Sequence, residues 1–195
     1  MSDHAVFLIH GLWGNNRHYW YVEQQLKQAH PGLKVHACAF NEGYKTYDGV
    51  DVGGDRIISE VTRYEVPEMT VDRRDACQME TGGPFDHQVL DRGILFGFMH
   101  HPLIRLIIGG LISRYVIGLL YARGVFETIQ PVNFTTFASP HLGVRYVDSG
   151  AFYTLLYLFG SKLLSSTGRQ LFIEDRTIKP LLLRMADKSM PAQKL

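Results

Sequence analysis

The stretch AVFLIHG, residues 5–11, decides the fold of this chain because a continuous apolar run stops abruptly at a histidine and a glycine. Short unbroken runs rich in Val, Phe and Ile are typical of strands that are buried on both faces of a parallel sheet. The run is too short for the apolar core of a signal peptide, and no basic segment precedes it. We therefore expect a buried strand here and no export signal.

Helix and strand signals alternate along the next fifty or so residues. A helix begins at a capping Asn15 or Asn16 and ends before Pro31-Gly32, and a strand over 33–40 and a helix over about 52–64 follow it. The residues expected on the buried faces of the two helices are Trp20, Val22, Leu26 and Ala29 in the first, and Ile57, Ile58 and Val61 in the second. This alternation predicts an α/β fold with a parallel sheet flanked by helices.

The same pattern resumes near residue 109. Apolar residues recur at helical spacing over 109–123, and a run of strand formers follows over 132–137. The strand that precedes this helix belongs at the centre of the sheet, and residues 103–108 are the segment available for it. Arg105 would then be a buried charge, which costs several kcal/mol when it is unpaired. We therefore expect marginal stability.

Residues 66–105 interrupt the α/β pattern. They contain Pro67, the turn Gly82-Gly83-Pro84 and several charged residues, without a sustained period of 2 or 3.6. Long segments of this kind are uncommon inside compact domains. We predict a single, incomplete domain over residues 1–195, in which 66–105 is either an atypical insertion, such as a lid, or a wrongly read stretch of the gene.

The composition narrows the classes of partner and compartment. Lys and Arg number 20 against 19 Asp and Glu, which gives a formal net charge of +1. A nucleic-acid-binding protein needs a concentrated basic surface, so we expect no nucleic-acid partner. The two cysteines, Cys38 and Cys77, cannot form a disulfide framework, which favours a reducing compartment and a cytoplasmic location.

The sequence predicts neither a metal site nor a membrane span. His87, His100 and His101 lack the spacing that helix-borne or cysteine-paired metal ligands show. The most hydrophobic region, residues 93–121, is interrupted by histidines and arginines, whereas a spanning helix needs about 20 mostly apolar residues in a row. We therefore expect no metal and no transmembrane helix.

Four blocks of sequence, taken together, carry a family resemblance. The blocks are Phe7–Gly14, Asn41–Asp51 with Gly54-Asp55-Arg56, Gly109–Tyr121 and Asn133–Gly143. In this order they resemble the fungal putative serine esterase family, which has a lipase-like α/β-hydrolase domain. The resemblance covers about residues 5–65 and 109–145. It implies a partial α/β-hydrolase fold and an acyl-enzyme mechanism that uses no metal or organic cofactor.

The resemblance places the nucleophile at a position that cannot perform the reaction. In such enzymes the serine lies on a tight G-x-S-x-G turn between a strand and a helix. With Gly109 as the last glycine of that turn, Ile107 occupies the place of the serine and Arg105 the place of the first glycine. We therefore expect no intact catalytic residue at this turn.

The resemblance identifies His10, Gly11 and Leu12 with the oxyanion loop of such enzymes. The N–H of Leu12 would donate to a developing oxyanion, and the N–H of Ile108 would be the second donor. His10 is expected to shape this loop rather than to act as a base.

Other residues do not replace the missing machinery. Ser113 falls inside the helix, where serines mostly point to solvent or bond to the backbone, and the family counterpart of Ser139 is structural or lines the substrate. The fold orders its catalytic residues as Ser, then Asp or Glu, then His. The last histidine, His141, precedes Asp148, Glu174, Asp175 and Asp187. The resemblance implies that the acid and the base lie on strands beyond Leu195.

Two functions follow from these observations. The first is a carboxylic-ester hydrolase acting on acyl lipids, whose chain as written is inactive. The alternative is a catalytically dead pseudo-hydrolase or fragment that binds lipid or protein. The partner that the resemblance implies is an acyl lipid or ester, and peripheral contact with membranes or lipid droplets follows from such substrates.

Overall fold

The computed structural model describes residues 4–65, 93–97, 108–127, 129–136, 139–144, 165–175 and 178–187. Its four strands are β1 (His4–Leu8), β2 (Lys34–Ala37), β3 (Gly93–Gly97) and β4 (Pro131–Phe134). They form a parallel sheet in the order β2-β1-β3-β4. Its helices are α1 (Trp20–Ala29), α2 (Val50–Glu65), α3 (Gly109–Ala122), α4 (Ser165–Leu171) and α5 (Leu181–Ala186). The expectation of a parallel sheet with helices is confirmed at this level.

Strand β1 lies between two partners and is buried on both faces. Ala5, Phe7 and Ile9 contribute to a large core that includes the inner faces of α2 and α3. Val6 and Leu8 contribute to a smaller core on the other face. The alternation follows from the two-residue period of a strand. The predicted buried strand is therefore confirmed.

Helices α2 and α3 pack closely because a glycine on α2 faces an aromatic ring on α3. A Cβ added at Gly54 would collide with Cδ1 of Tyr115, and a Cβ added at Gly53 would come within 3.2 Å of Cδ1 of Ile112. The predicted buried residues of α2, Ile57, Ile58 and Val61, all lie in this core. Gly54 therefore sets the distance between the two helices.

Helix α4 is tied to the start of α2 by side-chain hydrogen bonds. Gln170 Oε1 accepts the N–H of Val50 at 2.6 Å, and Gln170 Nε2 donates to Oδ1 of Asp51 at 2.8 Å. Thr167 Oγ1 donates to the carbonyl of Thr46 at 2.7 Å. These bonds join residues about 120 positions apart in the chain, so α4 fixes both α2 and the loop that precedes it.

The predicted buried face of α1 is partly wrong. Trp20 is 65% exposed and Ala29 is also exposed, whereas Val22 and Leu26 are partly buried against the smaller core. The buried aromatic residue is Tyr19, whose hydroxyl donates to the carbonyl of Ile9 at 2.9 Å. Tyr19 ends a 3-10 turn over Asn16–Tyr19, and this turn rotates the following helix so that Trp20 points outward.

Residues 103–107, most of the segment that we expected to form the central strand, lie outside the described residues. The strand between β1 and β4 is β3, residues 93–97, which lies inside the segment that we expected to be atypical. Its Ile-Leu-Phe run pairs in register with β1, so that Ala5 is opposite Ile94. Ile108 is a buried residue just before α3, and Arg105 lies outside the described residues. Eleven residues, 98–108, therefore separate β3 from α3.

Glu60 on α2 secures the carboxyl end of β2. Its carboxylate accepts the backbone N–H groups of Ala39 (2.8 and 3.0 Å) and Phe40 (2.8 Å), and it lies 2.9 Å from Nε2 of His36. Burial raises the pKa of Glu60, but these hydrogen bonds to the charged form outweigh burial and hold the pKa below its ordinary value.

Among the described residues, no helix is long and apolar enough to cross a membrane. Cys77, His87, His100 and His101 lie outside the described residues, whereas Cys38 is buried as a free thiol.

The close approach of α2 and α3 predicts how a methyl group added at Gly54 changes the stability of the fold. Ala at position 54 favours a helix by about 1 kcal/mol over Gly, but overpacking against Tyr115 costs about 1–3 kcal/mol. We expect Gly54→Ala to lower the free energy of unfolding in urea titration, and to become neutral or stabilising when combined with Tyr115→Leu. A stabilised Gly54→Ala single variant would show that the helices do not touch here.

Glu60 predicts a pH-dependent contribution to stability. Because its folded-state pKa is depressed, the stabilisation is complete above the ordinary glutamate pKa of about 4.3 and is lost as the pH falls through the folded value. We expect Glu60→Ala to cost about 3 kcal/mol at pH 7, since two partly buried N–H groups lose their charged acceptor. Urea titrations at pH 7 and at a pH of about 3.5 should show a smaller cost at the lower pH, whereas an equal cost would refute the pairing.

Candidate functional site

A tight turn follows β1 and carries the predicted oxyanion loop. The N–H of Gly14 donates to the carbonyl of Gly11 at 3.0 Å, and Trp13 between them has a φ of 54°. Leu12 is buried in the large core, and its N–H has no acceptor within the described part of the chain. The turn lies at the carboxyl end of a parallel strand, which is where α/β proteins bind their ligands.

His10 stabilises this turn from inside. It is 3% exposed, and its Nδ1 lies 3.1 Å from the carbonyl of Gly11. A Cβ added at Gly14 would lie 2.6 Å from Cβ of His10. Burial lowers the pKa of His10 below its ordinary value, so the imidazole is neutral near pH 7. The position fits a residue that shapes the loop.

A second loop, residues 41–48, is bound to the first by hydrogen bonds. The N–H of Trp13 donates to Oγ1 of Thr46 at 3.1 Å, and the N–H of Gly43 donates to the carbonyl of Gly14 at 3.0 Å. The N–H of Asn16 donates to Oε1 of Glu42 at 2.6 Å. These bonds hold the turn after β1 in one conformation.

The start of α3 meets the loop that follows β4. The N–H of Gly110 donates to Oγ of Ser139 at 3.2 Å. A Cβ added at Gly110 would lie 2.6 Å from Cβ of Ser139 and 3.1 Å from Cγ2 of Thr136. The glycine therefore lets the helix approach this loop, and the Ser139 hydroxyl serves as an acceptor for the helix N-terminus.

A hydroxyl and an imidazole lie together in the same loop. Oγ1 of Thr136 is 2.9 Å from Nε2 of His141, and Arg114 on α3 donates to the carbonyl of His141 at 2.7 Å. Burial, and then the charge of Arg114, lower the pKa of His141. A neutral imidazole at this distance could accept a proton, but its Nδ1 has no partner among the described residues. An orienting carboxylate is therefore missing from the described part of this pair.

Ser113 lies inside the core rather than at the site. Its side chain is fully buried in the second turn of α3, and its Oγ has no hydrogen-bond partner within the described residues. Our expectation that it would bond to the backbone or point to solvent is therefore wrong. Burial without an adjacent base gives no route for it to attack an ester.

The expected place of the nucleophile falls on Ile107. Ile107 lies outside the described residues, between β3 and α3 in sequence.

Glu127, a carboxylate that lies between Ser113 and His141 in sequence, was missed as a candidate acid. It is exposed in a 3-10 turn over Val125–Glu127, beyond the far end of α3, and so does not orient His141 from there.

A largely buried cluster of metal-ligand types exists at the carboxyl end of β2. The imidazole of His36, the thiol of Cys38 and the carboxylate of Glu60 lie with their ligand atoms within 4.8 Å of one another. Zn²⁺ accepts all three ligand types. Both oxygens of Glu60, however, already accept hydrogen bonds that secure β2. We therefore interpret the cluster as one that stabilises the end of β2. The spacing of the three residues in the sequence did not indicate it.

The comparisons with known proteins agree on one family. The family described as "Putative serine esterase (DUF676)" matches residues 1–72 and 102–194. The unmatched residues between them, 73–101, include strand β3. The family match therefore covers both sides of the atypical segment but not the segment's central part.

Two fungal proteins are similar to this chain. One is the putative lipase ROG1 of Saccharomyces cerevisiae, 28% identical over 191 residues, which cover 93% of this chain and 23% of that protein. The other is the putative lipase C4A8.10 of Schizosaccharomyces pombe, 32% identical over 102 residues, which cover 48% of this chain and 12% of that protein. This chain thus spans less than a quarter of the length of either relative. Because the family match extends over well more than half of its residues, the chain belongs to the putative serine esterase family.

Proposed function

We propose that this chain carries the ester-binding part of a carboxylic-ester hydrolase site, on a partial α/β-hydrolase domain, and that it binds acyl esters without turning them over. The domain extends over residues 1–195, with 66–105 as its atypical segment. Family membership and the relatives' lipase names support the ester as ligand. Neither the acyl mechanism nor the ligand requires a metal or an organic cofactor.

The observation that carries this proposal is the turn after β1. The N–H of Leu12 is unused among the described residues. The hydrogen bonds from the Trp13 N–H to Thr46 and from the Gly43 N–H to the Gly14 carbonyl hold the turn in place. A donor that needs no reorganisation is what an oxyanion site requires. Ile108, whose N–H is the proposed second donor, lies in the same core as Leu12.

The absence of turnover follows from the nucleophile position. Counted back from Gly109, the position is Ile107. Counted forward from Gly97, at the end of β3, the corresponding position is Met99. Neither side chain can form an acyl-enzyme. Ser113 is buried and Ser139 accepts a hydrogen bond from the start of α3, so neither is placed as a substitute.

The alternative function is a pseudo-hydrolase that binds lipid or protein. The aromatic surface beside the turn after β1 favours a binding role, since Trp13 is 38% and Tyr44 is 85% exposed. A cytoplasmic location with peripheral contact to membranes or lipid droplets stays a prediction under both functions. The two functions differ in the ligand, which is an acyl ester held at the turn after β1 in the first and another lipid or a protein in the second.

The proposal predicts that the purified chain does not hydrolyse p-nitrophenyl butyrate above the buffer rate and is not labelled by a fluorophosphonate. It also predicts that Ile107→Ser does not restore hydrolysis, because a nucleophile elbow joins its strand and helix directly, whereas eleven residues of sequence lie between β3 and α3. Mass spectrometry of the treated chain measures labelling directly.

Variants of the three hydroxyl groups near the site provide the controls. Ser113→Ala, Ser139→Ala and Thr136→Val should be indistinguishable from the unmodified chain in both assays. Hydrolysis that disappears with Thr136→Val and with His141→Gln would show that the Thr136–His141 pair is catalytic. Hydrolysis that disappears only with Ser113→Ala would show that the buried serine reaches substrate. Either result would overturn the proposal.

A further inference from the structure

A cleft of about 450 Å³ opens directly beside the turn after β1. Trp13 and Gly14 form one side of it, and Glu42, Tyr44 and Lys45 form the other. Gly14 lines the cleft and also packs against His10, which belongs to the loop that carries the Leu12 N–H. A ligand held by that N–H would place its non-reacting part in or near this cleft.

The aromatic side chains at the cleft are fixed by contacts with one another. The ring of Trp13 meets that of Tyr47 edge to face, with centroids 5.7 Å apart. Tyr44 stacks on Tyr47 with centroids 6.3 Å apart and planes inclined by 21°. Tyr47 therefore supports the two exposed rings from behind. Trp13 and Tyr44 present aromatic surface to solvent without the freedom of isolated side chains.

The backbone at Trp13 is held in an uncommon conformation. The φ of Trp13 is 54°, which lies in the left-handed region that bulky residues rarely adopt. Strained backbone of this kind is concentrated at functional sites, including those that bind ligands. The hydrogen bond from the Trp13 N–H to Thr46 maintains it, and Thr46 in turn accepts a hydrogen bond from Thr167. The fold therefore keeps this indole at the surface against a local preference, which indicates a ligand rather than a core contact.

The charges at the cleft select the chemistry of that ligand. Glu42 supplies a carboxylate and Lys45 an ammonium group on either side of Tyr44 in the sequence. Aromatic faces, with Trp the most favourable, attract quaternary ammonium groups, and the carboxylate adds to that attraction. The ammonium group of Lys45 donates to the carbonyl of Phe40 at 3.3 Å and has further N–H donors for a phosphate. We infer that the Trp13–Tyr44 cleft binds the phosphocholine headgroup of a phospholipid.

The same residues disfavour an acyl chain as the occupant. A pocket for an acyl chain is lined by apolar side chains, whereas Asn15, Glu42 and Lys45 are among the residues at this cleft. A headgroup with one positive and one negative charge matches this lining. The inference rests on the ester-binding role proposed above and adds a headgroup to it, but it concerns binding alone and can hold where turnover is absent.

Saturation-transfer NMR of the choline N-methyl protons tests the inference on the full chain. We expect saturable binding of phosphocholine and of choline, and none of 3,3-dimethylbutan-1-ol, the uncharged isostere of choline. Trp13→Leu should weaken binding about tenfold or more. Trp20→Leu is the matched control, because Trp20 is the other tryptophan of the chain, is 65% exposed and lies on α1.

Charge variants separate the two halves of the ligand. Glu42→Gln keeps an oxygen for the Asn16 N–H and should weaken both choline and phosphocholine. Lys45→Met should weaken phosphocholine and leave choline unchanged. Tyr44→Leu serves if Trp13→Leu does not fold, because Tyr44 is 85% exposed and its loss should cost binding and not stability.

Vesicles identify the source of the headgroup. The chain should cosediment with phosphatidylcholine vesicles, and free phosphocholine should compete with them, whereas phosphatidylglycerol vesicles should bind less. Equal binding of the uncharged isostere, unchanged binding by the Tyr44→Leu and Trp13→Leu variants, or binding of free phosphocholine without binding to phosphatidylcholine vesicles would each overturn the inference. Esterase turnover, which would overturn the proposed function, would leave these results unaffected, so the two proposals fail separately.

Discussion

The pairing of β1 with a strand on each side is the constraint on which the rest of the structure depends. β1 has β2 on one side and β3 on the other, in register along its length. With both edges paired, its side chains alternate between two cores, and its carboxyl end is fixed within the sheet. The turn that follows β1 begins at this end, so its position is fixed as well. A shift of this strand by one residue would exchange its two faces and displace the candidate site.

Long-range hydrogen bonds convert that position into a defined site. The turn after β1 is bound to the 41–48 loop, the loop is bound to α4 through Thr46 and Thr167, and α4 is bound to α2 through Gln170 and Val50. Each bond is short in distance and long in sequence separation. The site therefore depends on residues that are far apart in the chain. Loss of α4 would loosen the turn after β1, to which α4 is joined through Thr46 of the 41–48 loop.

Local signals in the sequence predicted the elements whose residues carry a clear period. The helical spacing of apolar residues located α2 and α3 within two residues of their ends, and the run over residues 5–9 located β1. Strand β3 was missed because the five residues Gly93–Gly97 are too few to show a period of their own, and the sequence around them has no regular hydrophobic pattern. A run of Ile, Leu and Phe bounded by glycines was nevertheless a usable strand signal.

The candidate site was predictable only where it is local. The position of the turn at His10–Leu12 and the glycines that open α3 followed from the sequence, and their roles in ester binding stay predictions. The hydrogen bonds of Glu60 to Ala39 and Phe40, the contact of Gly110 with Ser139 and the cleft at Trp13 join residues 20 or more apart. Such contacts depend on how the elements pack, and periodicity carries no information about them.

Hydrogen–deuterium exchange of the full chain, resolved to the peptides that cover β1 and residues 93–97, tests the central pairing most directly. If β1 and β3 are paired, both peptides should exchange slowly and lose protection together in urea, whereas exchange of residues 93–97 at the rate of an unstructured chain would contradict the pairing.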